Sequence, residues 1–204
     1  MKPSTVFAFV SAVWAGSAGL AMAQEIRPVV FGSAGIANVY RGDDRSFGTG
    51  TNLGAGAGIE WRRLGVDVEF HQTIGLEPDP VVCGVVNVTC VGSARVGLQS
   101  ATMVTGDVSY RFGSHRVRPY VVGSVGALRS EMVNSLTVVR DGMATLSEFL
   151  ETDTGLAIGV GGGLELAMTN SLSLRPEVIL YSSTAMSRAN LGMTRVAVGA
   201  RYRF

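Results

Sequence analysis

The sequence has little charge and almost no lysine. Asp, Glu, Lys and Arg make up 16% of the 204 residues, and Lys2 is the single lysine. Soluble globular domains usually carry about 25% charged residues, so the chain departs from that class. A formal net charge of +1 without basic runs excludes nucleic acid as an expected partner. Two cysteines exclude a disulfide scaffold, and 27 glycines without a triplet period exclude a collagen-like chain.

Long uncharged runs are also scarce. Residues 3–24 carry no charge, and no later uncharged run reaches the roughly 18 residues that a membrane-spanning helix needs. Lys2 precedes this apolar stretch, and an Ala-Met-Ala triplet ends it at residue 23, where a cleavage site would lie. The pattern predicts a secretory signal peptide over residues 1–23 and a mature chain of residues 24–204. The alternative is a permanent anchor helix, which two glycines within the segment disfavour.

The two cysteines of the mature chain are Cys83 and Cys90. An exported chain meets oxidising conditions, so we expect a local disulfide between them. A metal site built on the two thiols is the alternative, but neither His71 nor His115 lies near them in sequence. The prediction is a disulfide that braces a loop, with no metal site and no cofactor.

Apolar residues recur at every second position of the mature chain, which is the period of a β-strand. In residues 195–204 the even positions are Val, Val, Ala, Tyr and Phe, and the odd positions are Arg, Ala, Gly, Arg and Arg. The same division recurs upstream, although glycine and alanine blur the two faces of the first segment. The eight predicted strands are residues 28–40, 53–62, 64–71, 103–112, 117–128, 155–166, 171–181 and 195–204. They predict a single all-β domain.

The connections between these segments alternate in length. Tight turns are expected at Arg63, at residues 113–115 and at residues 169–170. The longer, polar loops are residues 41–52, 75–99, 129–153 and 182–191. Short turns at one end and long loops at the other predict an antiparallel up-and-down meander.

Eight alternating strands fit two closed barrels, each the inside-out version of the other. A lipocalin-like barrel buries its apolar side chains inside. A transmembrane barrel turns them toward lipid and fills its interior with polar groups. The polar faces carry small residues and nearly balanced charges, which suits the narrow interior of eight strands and the paired hydrogen bonding of arginine. The predicted lumen charge network comprises Glu60, Arg62, Asp67, Glu69, Asp107, Arg111, Arg118, Glu165, Arg175, Glu177, Arg195, Arg201 and Arg203.

Aromatic residues end the apolar faces on the side of the tight turns. Trp61, Phe112 and Phe204 each end a strand, with Tyr110 and Tyr202 two positions earlier. An aromatic girdle at a membrane interface explains this placement. Lipid also allows no open sheet edge, so the last strand must pair with the first. These features favour the transmembrane barrel.

The C-terminal segment 197–204 resembles the insertion signal of bacterial outer-membrane barrels, a polar-x-Gly-x-x-aromatic-x-aromatic pattern. Gly199, Tyr202 and Phe204 match the pattern, and an alanine replaces the polar residue. Residues 118–126 resemble a mid-barrel strand of the OmpA/OmpX-type small barrel family. The resemblance implies an eight-stranded barrel in the bacterial outer membrane, with both termini periplasmic, long loops outside and insertion by the barrel-assembly machinery. It also implies a monomer surrounded by outer-membrane lipid.

The family resemblance implies no single activity. We expect a non-enzymatic structural or surface-interaction role, with a possible extracellular partner bound through loop 2 (75–99) and loop 3 (129–153). The apolar residues of loop 3 either extend the flanking strands or present an adhesive surface. The alternative role is a small channel or a binder of hydrophobic molecules. A lipid-A-modifying enzyme is less favoured, because His71 lies on a polar face without a paired serine.

Two glycine-rich runs, residues 54–58 and 159–163, invite comparison with dinucleotide-binding loops. That mechanism needs a turn from a strand into a helix, which neither sequence provides. Glycines at every second position instead fit a crowded barrel interior.

Overall fold

The computed structural model describes residues 26–41, 46–76, 80–82, 92–113, 115–140, 143–184 and 191–204. Within these ranges no helix is long and apolar enough to cross a membrane. The described strands are β1 Ile26–Arg41, β2 Ser46–Trp61, β3 Leu64–Ile74, β4 Pro80–Val82, β5 Gly92–Arg111, β6 Val117–Arg140, β7 Met143–Ala167, β8 Leu172–Ser183 and β9 Leu191–Arg203. The segment 1–23 and the pair Cys83 and Cys90 lie outside the described residues, so their predictions stay predictions.

The eight long strands close into one antiparallel barrel. Consecutive strands pair with each other, β3 pairs with β5, and β1 pairs with β9 to complete the cylinder. The short β4 pairs with the outer part of β5. At the closing seam Gly35 faces Ala197, and a Cβ atom on this glycine would lie 2.1 Å from the carbonyl oxygen of Val196. The predicted all-β, eight-stranded, up-and-down barrel is confirmed.

Short turns join the strands at one end, which we call the tight-turn end. Arg62 and Arg63 connect β2 to β3, with Arg62 at a φ of 53°. Residues 112–116 connect β5 to β6, and residues 168–171 connect β7 to β8. In the last turn the Thr169 hydroxyl accepts hydrogen bonds from the backbone N–H groups of Ser171 and Leu172. All three turns lie where the sequence predicts them.

The outer surface carries the predicted apolar faces. Along β3, for example, Val66, Val68 and Phe70 are 50%, 60% and 49% exposed, while the residues between them are buried. The outward positions of β5 and the residue that follows it run from Thr102 to Phe112, ten residues apart. At about 3.4 Å per residue and a tilt of about 40°, this distance spans about 25 Å of membrane, the height typical of outer-membrane barrels.

Polar outward residues mark the other edge of this apolar band. Gln72, Thr102, Arg129 and Thr154 lie in one row of paired positions across β3, β5, β6 and β7. Asn38 and Thr194 form a further outward polar pair at the β1–β9 seam. We call this row the polar ring, and it separates the membrane-facing band from the strand extensions beyond it.

Several strands continue past the polar ring into segments predicted as loops. β6 and β7 pair as far as Arg140 and Met143, so most of predicted loop 3 is a β-hairpin. β2 begins at Ser46 and β5 at Gly92, inside the predicted loops 41–52 and 75–99. The boundaries were missed because interior residues beyond the ring are apolar too, which removes the contrast between the two strand faces.

The barrel interior changes character along its axis. Charged side chains fill the half next to the tight turns, and an apolar cluster fills the half next to the polar ring. The larger members of that cluster are Val39, Phe47, Leu76, Leu98, Met103, Leu128, Met132, Ile179, Leu191 and Met193. All are at most 9% exposed, so both halves of the lumen are packed with side chains.

Candidate functional site

The charged half of the lumen is the main concentration of polar chemistry among the described residues. Inward positions of seven strands supply its members, because every second residue of a strand points into the barrel. We call the group the ion-pair plug. Its members are Glu60, Asp67, Glu69, Arg111, Arg118, Glu165, Arg175, Glu177, Arg195, Arg201 and Arg203.

Glu60 on β2 is one of two acids of the plug that each contact three arginines. Its Oε2 lies 2.6 Å from Nη1 of Arg111 and 2.7 Å from Nε of Arg203. Its Oε1 lies 2.7 Å from Nε of Arg201. Glu60 is only 5% exposed, so three guanidinium groups replace the water that a carboxylate would otherwise bind.

Glu165 on β7 is a second centre in the same layer. Nη2 of Arg118 lies 2.5 Å from its Oε1, and Arg203 donates to that oxygen through Nη2. Nη1 of Arg111 lies 3.5 Å from its Oε2. Arg111 and Arg203 therefore bridge the two glutamates, so β2, β5, β7 and β9 are joined across the lumen.

Two further layers lie between this centre and the polar ring. Arg201 binds Asp67 through two hydrogen bonds, of 2.9 and 2.7 Å. Arg195 binds Glu69 through two more, of 3.2 and 2.7 Å, and its Nη1 lies 3.3 Å from Glu177. Such two-pronged contacts fix the direction of the guanidinium plane as well as its position.

Neutral side chains complete the plug. Tyr120 donates a 2.6 Å hydrogen bond to Glu177, and the guanidinium of Arg175 lies 4.1 Å above the Tyr120 ring. Ser33 receives a 2.6 Å hydrogen bond from Arg195 and donates one of 3.1 Å to Glu69. The sequence did not identify Tyr120 and Ser33 as network members. Tyr120 follows Arg118 in the inward register of β6, which is the pattern that could have identified it.

Two predicted network residues differ from the others. Asp107 points inward but accepts a 3.3 Å hydrogen bond from Thr105, and its Oδ1 has no partner among the described residues. Arg62 lies at the barrel mouth instead of the lumen, because β2 ends at Trp61 and the turn carries Arg62 outward. Its guanidinium lies 5.7 Å from the centre of the Trp61 ring.

Asp107 belongs to a thin polar layer beside the plug. The other members are His71, Ser124 and Tyr181, and each has a buried polar atom without a hydrogen-bond partner in the described part of the chain. The rings of His71 and Tyr181 are 5.6 Å apart. A void of about 20 Å³ between Asp107 and the plug has room for about one water molecule. The described residues contain no cluster of His, Cys, Asp or Glu that could hold a metal ion.

The predicted aromatic girdle occupies the outside of the tight-turn end. Trp61, Phe112, Tyr202 and Phe204 are between 46% and 63% exposed. Tyr202 packs edge-on against Phe204 at 5.1 Å between ring centres. Gly199 faces Ser33 across the β1–β9 seam, at an inward position of β9. These side chains surround the same end of the barrel as the Glu60 and Glu165 centres of the plug.

Comparisons with known proteins agree with this architecture. A model of the outer membrane protein beta-barrel domain family matches residues 6–204. Neisserial surface protein A is 16% identical over 87% of this chain and 97% of its own, with a TM-score of 0.54. Ail, the attachment invasion locus protein of Yersinia pestis, is 18% identical over 87% and 99%, with a TM-score of 0.50.

A third similar structure is a major outer membrane protein from Thermus thermophilus. It is 15% identical over 88% of this chain and 99% of its own, with a TM-score of 0.52. At these identities the solved structures establish the fold alone. No curated protein sequence matches the chain. The family match covers nearly the whole sequence, and the chain therefore belongs to the outer membrane protein beta-barrel domain family, as an integral β-barrel of the outer membrane.

Proposed function

We propose that the protein is a non-enzymatic surface-interaction protein, in which the barrel is the anchor and the β6–β7 hairpin is the binding element. The observation that carries this proposal is the length of that hairpin. Its pairing continues from Arg129 at the polar ring to Arg140, eleven residues farther. At about 3.4 Å per residue, this extension reaches about 35 Å along the strands beyond the membrane-facing band.

The orientation follows the family resemblance. The long strands and loops face the cell exterior, while the tight turns and both chain termini face the periplasm. A signal peptide over residues 1–23 delivers the chain for export, and the barrel-assembly machinery recognises β9. The mature protein is a monomer in outer-membrane lipid. A disulfide between Cys83 and Cys90 braces loop 2.

Exposed apolar side chains on the hairpin support a binding role. Phe149 and Leu150 are 64% and 66% exposed, and they lie on β7 beyond the polar ring, outside the band that lipid covers. As successive residues of a strand they point to opposite faces, so each face of the hairpin presents one large apolar side chain to a partner. The name of the Yersinia pestis neighbour refers to attachment and invasion, but the likeness of that protein extends only to the fold.

The packed lumen favours an anchor over the alternative roles. The ion-pair plug and the apolar cluster fill successive levels of the interior. Among the described residues they leave no continuous path for a solute. His71 is 1% exposed and points into the lumen, where a lipid substrate outside the barrel would not reach it. These two observations support a non-conducting and non-enzymatic protein.

An adherence assay tests the proposal. Bacteria that display the wild-type protein are compared with bacteria in which residues 134–149 are replaced by an Asn-Gly turn, which joins the paired positions 133 and 150 and so keeps the register of β6 and β7. We expect adherence to epithelial cells or extracellular matrix above that of a deletion strain, and loss of the excess in the shortened variant. A matched control shortens the first long loop by replacing residues 42–45, far from β6 and β7 in the sheet order.

Surface amount and the altered gel mobility of the unboiled barrel must be equal among the variants. A shortened hairpin that retains full adherence contradicts the proposal. A wild-type protein that adds no adherence on any surface tested also contradicts it.

A further inference from the structure

The mouth of the barrel at the tight-turn end contains a cavity of about 670 Å³. This size lies within the range of small-molecule sites, which is about 300–1,000 Å³. We call the cavity the cationic vestibule. Its described lining consists of Arg27, Glu60, Arg62, Arg111, His115, Arg116, Arg118, Ala167, Thr169, Asn170 and Arg203.

The charge of this lining is strongly unbalanced. Six arginines line the vestibule, and Glu60 is the single carboxylate among its described lining residues. Glu165 lies just below the floor, where it pairs with Arg111, Arg118 and Arg203. Arg62 makes other contacts and is left out of the balance, so the other five arginines set against these two carboxylates leave an excess of three positive charges among the described residues at this mouth.

The position of the rim arginines follows from strand register. Arg27 continues the inward face of β1 one step below Val29, and Arg116 continues that of β6 one step below Arg118. Both rim side chains are exposed, and neither pairs with a described carboxylate. In the described part of the chain, the ion pairs of the plug therefore end at the floor of the vestibule, and Arg27 and Arg116 add positive charge outside them.

The arginine chemistry of the vestibule selects the class of ligand. Guanidinium groups bind phosphate oxygens through paired hydrogen bonds, and a phosphoryl group carries about 1.5 to 2 negative charges. Two phosphoryl groups carry about 3 to 4 negative charges, so a compound with two of them balances an excess of three positive charges. Nε of Arg118 is itself buried and has no acceptor among the described residues, so the contact of Arg118 with Glu165 leaves part of its hydrogen-bonding capacity unused.

We propose that the cationic vestibule is a binding site for phosphate esters or anhydrides, a function separate from the hairpin. Two kinds of molecule present phosphate groups at the mouth of an outer-membrane barrel. One is a soluble phosphate compound in the adjoining aqueous compartment. The other is the phosphate of lipid headgroups, because the aromatic girdle places the mouth at the membrane interface.

The first arm of the experiment is calorimetric titration of the full-length barrel with pyrophosphate in zwitterionic micelles. We expect saturable binding that weakens as the salt concentration rises. The double variant Arg27→Gln/Arg116→Gln removes two rim charges outside the plug, and we expect at least tenfold weaker binding. The control Arg129→Gln removes the same charge at the opposite end of the apolar band, and we expect wild-type affinity.

Trp61 offers a second readout, because Arg62 lies over its ring and also lines the vestibule. The only other tryptophan is Trp14, in the segment predicted to be cleaved. In the second arm, barrels in phosphatidylcholine nanodiscs with or without phosphatidylglycerol are titrated with pyrophosphate. The headgroup is identified as a source if phosphatidylglycerol weakens pyrophosphate binding. It is also identified if phosphatidylglycerol changes the Trp61 fluorescence of the wild type and not that of the Arg27→Gln/Arg116→Gln variant.

The outcomes separate clearly. Rim-dependent binding of pyrophosphate, of phosphatidylglycerol or of both supports the site and identifies its source. The proposal is overturned by the absence of saturable binding to either probe. It is also overturned if the rim variant binds like the wild type, or if Arg129→Gln weakens binding equally. In every variant the gel mobility of the unboiled protein verifies that the barrel is folded.

Discussion

Arg201 of β9 binds Asp67 of β3 through two hydrogen bonds, 2.9 and 2.7 Å long, although 134 residues separate them in sequence. The same guanidinium reaches Glu60 of β2 at 2.7 Å. One side chain of the final strand thus connects two strands from the first third of the chain. Contacts of this kind make the stability of the barrel depend on single charged residues.

Glu60→Gln is expected to destabilise the barrel by about 3–5 kcal/mol, because it leaves buried arginines without their counter-charge. The measurement is urea unfolding in micelles, monitored by the mobility difference between folded and unfolded protein. Glu131→Gln is the matched control, since its pair with Arg129 is exposed and 3.5 Å long. We expect the control to cost less than about 1 kcal/mol, and equal losses would contradict a structural role for the plug.

Planar-bilayer recordings of the wild-type protein are expected to show no stepwise conductance. The reason is that ion pairs and apolar side chains occupy successive levels of the lumen, so a hydrated ion meets no open path among the described residues. A porin reconstituted in the same bilayers serves as the positive control. Regular conductance steps from the purified wild-type barrel would favour the channel alternative.

Gly35→Val is expected to prevent closure of the barrel at the β1–β9 seam. A Cβ atom at this position would lie 2.1 Å from a backbone oxygen of β9, and backbone cannot move aside without loss of pairing. Gly123→Val is the control, because a Cβ atom there meets no other atom within 4 Å. The assay is the fraction of protein with folded gel mobility, and a normal fraction for the Gly35 variant would refute the clash.

Phe204→Ala is expected to reduce the amount of folded protein in the outer membrane several-fold, if β9 carries the signal for the assembly machinery. Phe112→Ala is the control, since Phe112 is a similarly placed girdle residue that follows β5 and is 46% exposed. Quantification of membrane fractions from cells distinguishes the two. Equal losses would assign both effects to membrane anchoring and not to recognition of the last strand.

Period-two alternation predicts the eight long strands, whereas the outward direction of the apolar faces follows from the small and charged residues on the polar faces and from the aromatic residues at the strand ends. A charged residue on an otherwise apolar strand shows clearly which face points inward. For this reason eleven of the thirteen predicted lumen residues take part in the plug. Arg62 was misplaced because alternation does not reveal where a strand turns. Alternation predicts that Asp107 points inward, as it does. Whether an arginine reaches its carboxylate depends on distances across the lumen, which alternation does not reveal.

The outer half of the barrel was harder to predict for a related reason. Leu191 and Met193 occupy the same inward register as Arg195, yet they pack in the apolar cluster. Where both faces of a strand are apolar, sequence cannot separate interior from exterior. The extended β6–β7 hairpin therefore lies where the sequence predicts loop 3, and strand extension is one of the two interpretations that the apolar residues of that loop allow.

The distribution of the plug over the strands has a consequence for the timing of folding. Glu60, Asp67 and Glu69 come early in the chain, whereas Arg195, Arg201 and Arg203 all lie on β9. Until the last strand arrives, these acids lack their main counter-charges and favour hydration of the unfinished interior. Arrival of β9 neutralises them and closes the seam in the same event. Water therefore leaves the lumen only when the chain is complete. A chain that lacks β9 would keep a hydrated interior and an unclosed sheet.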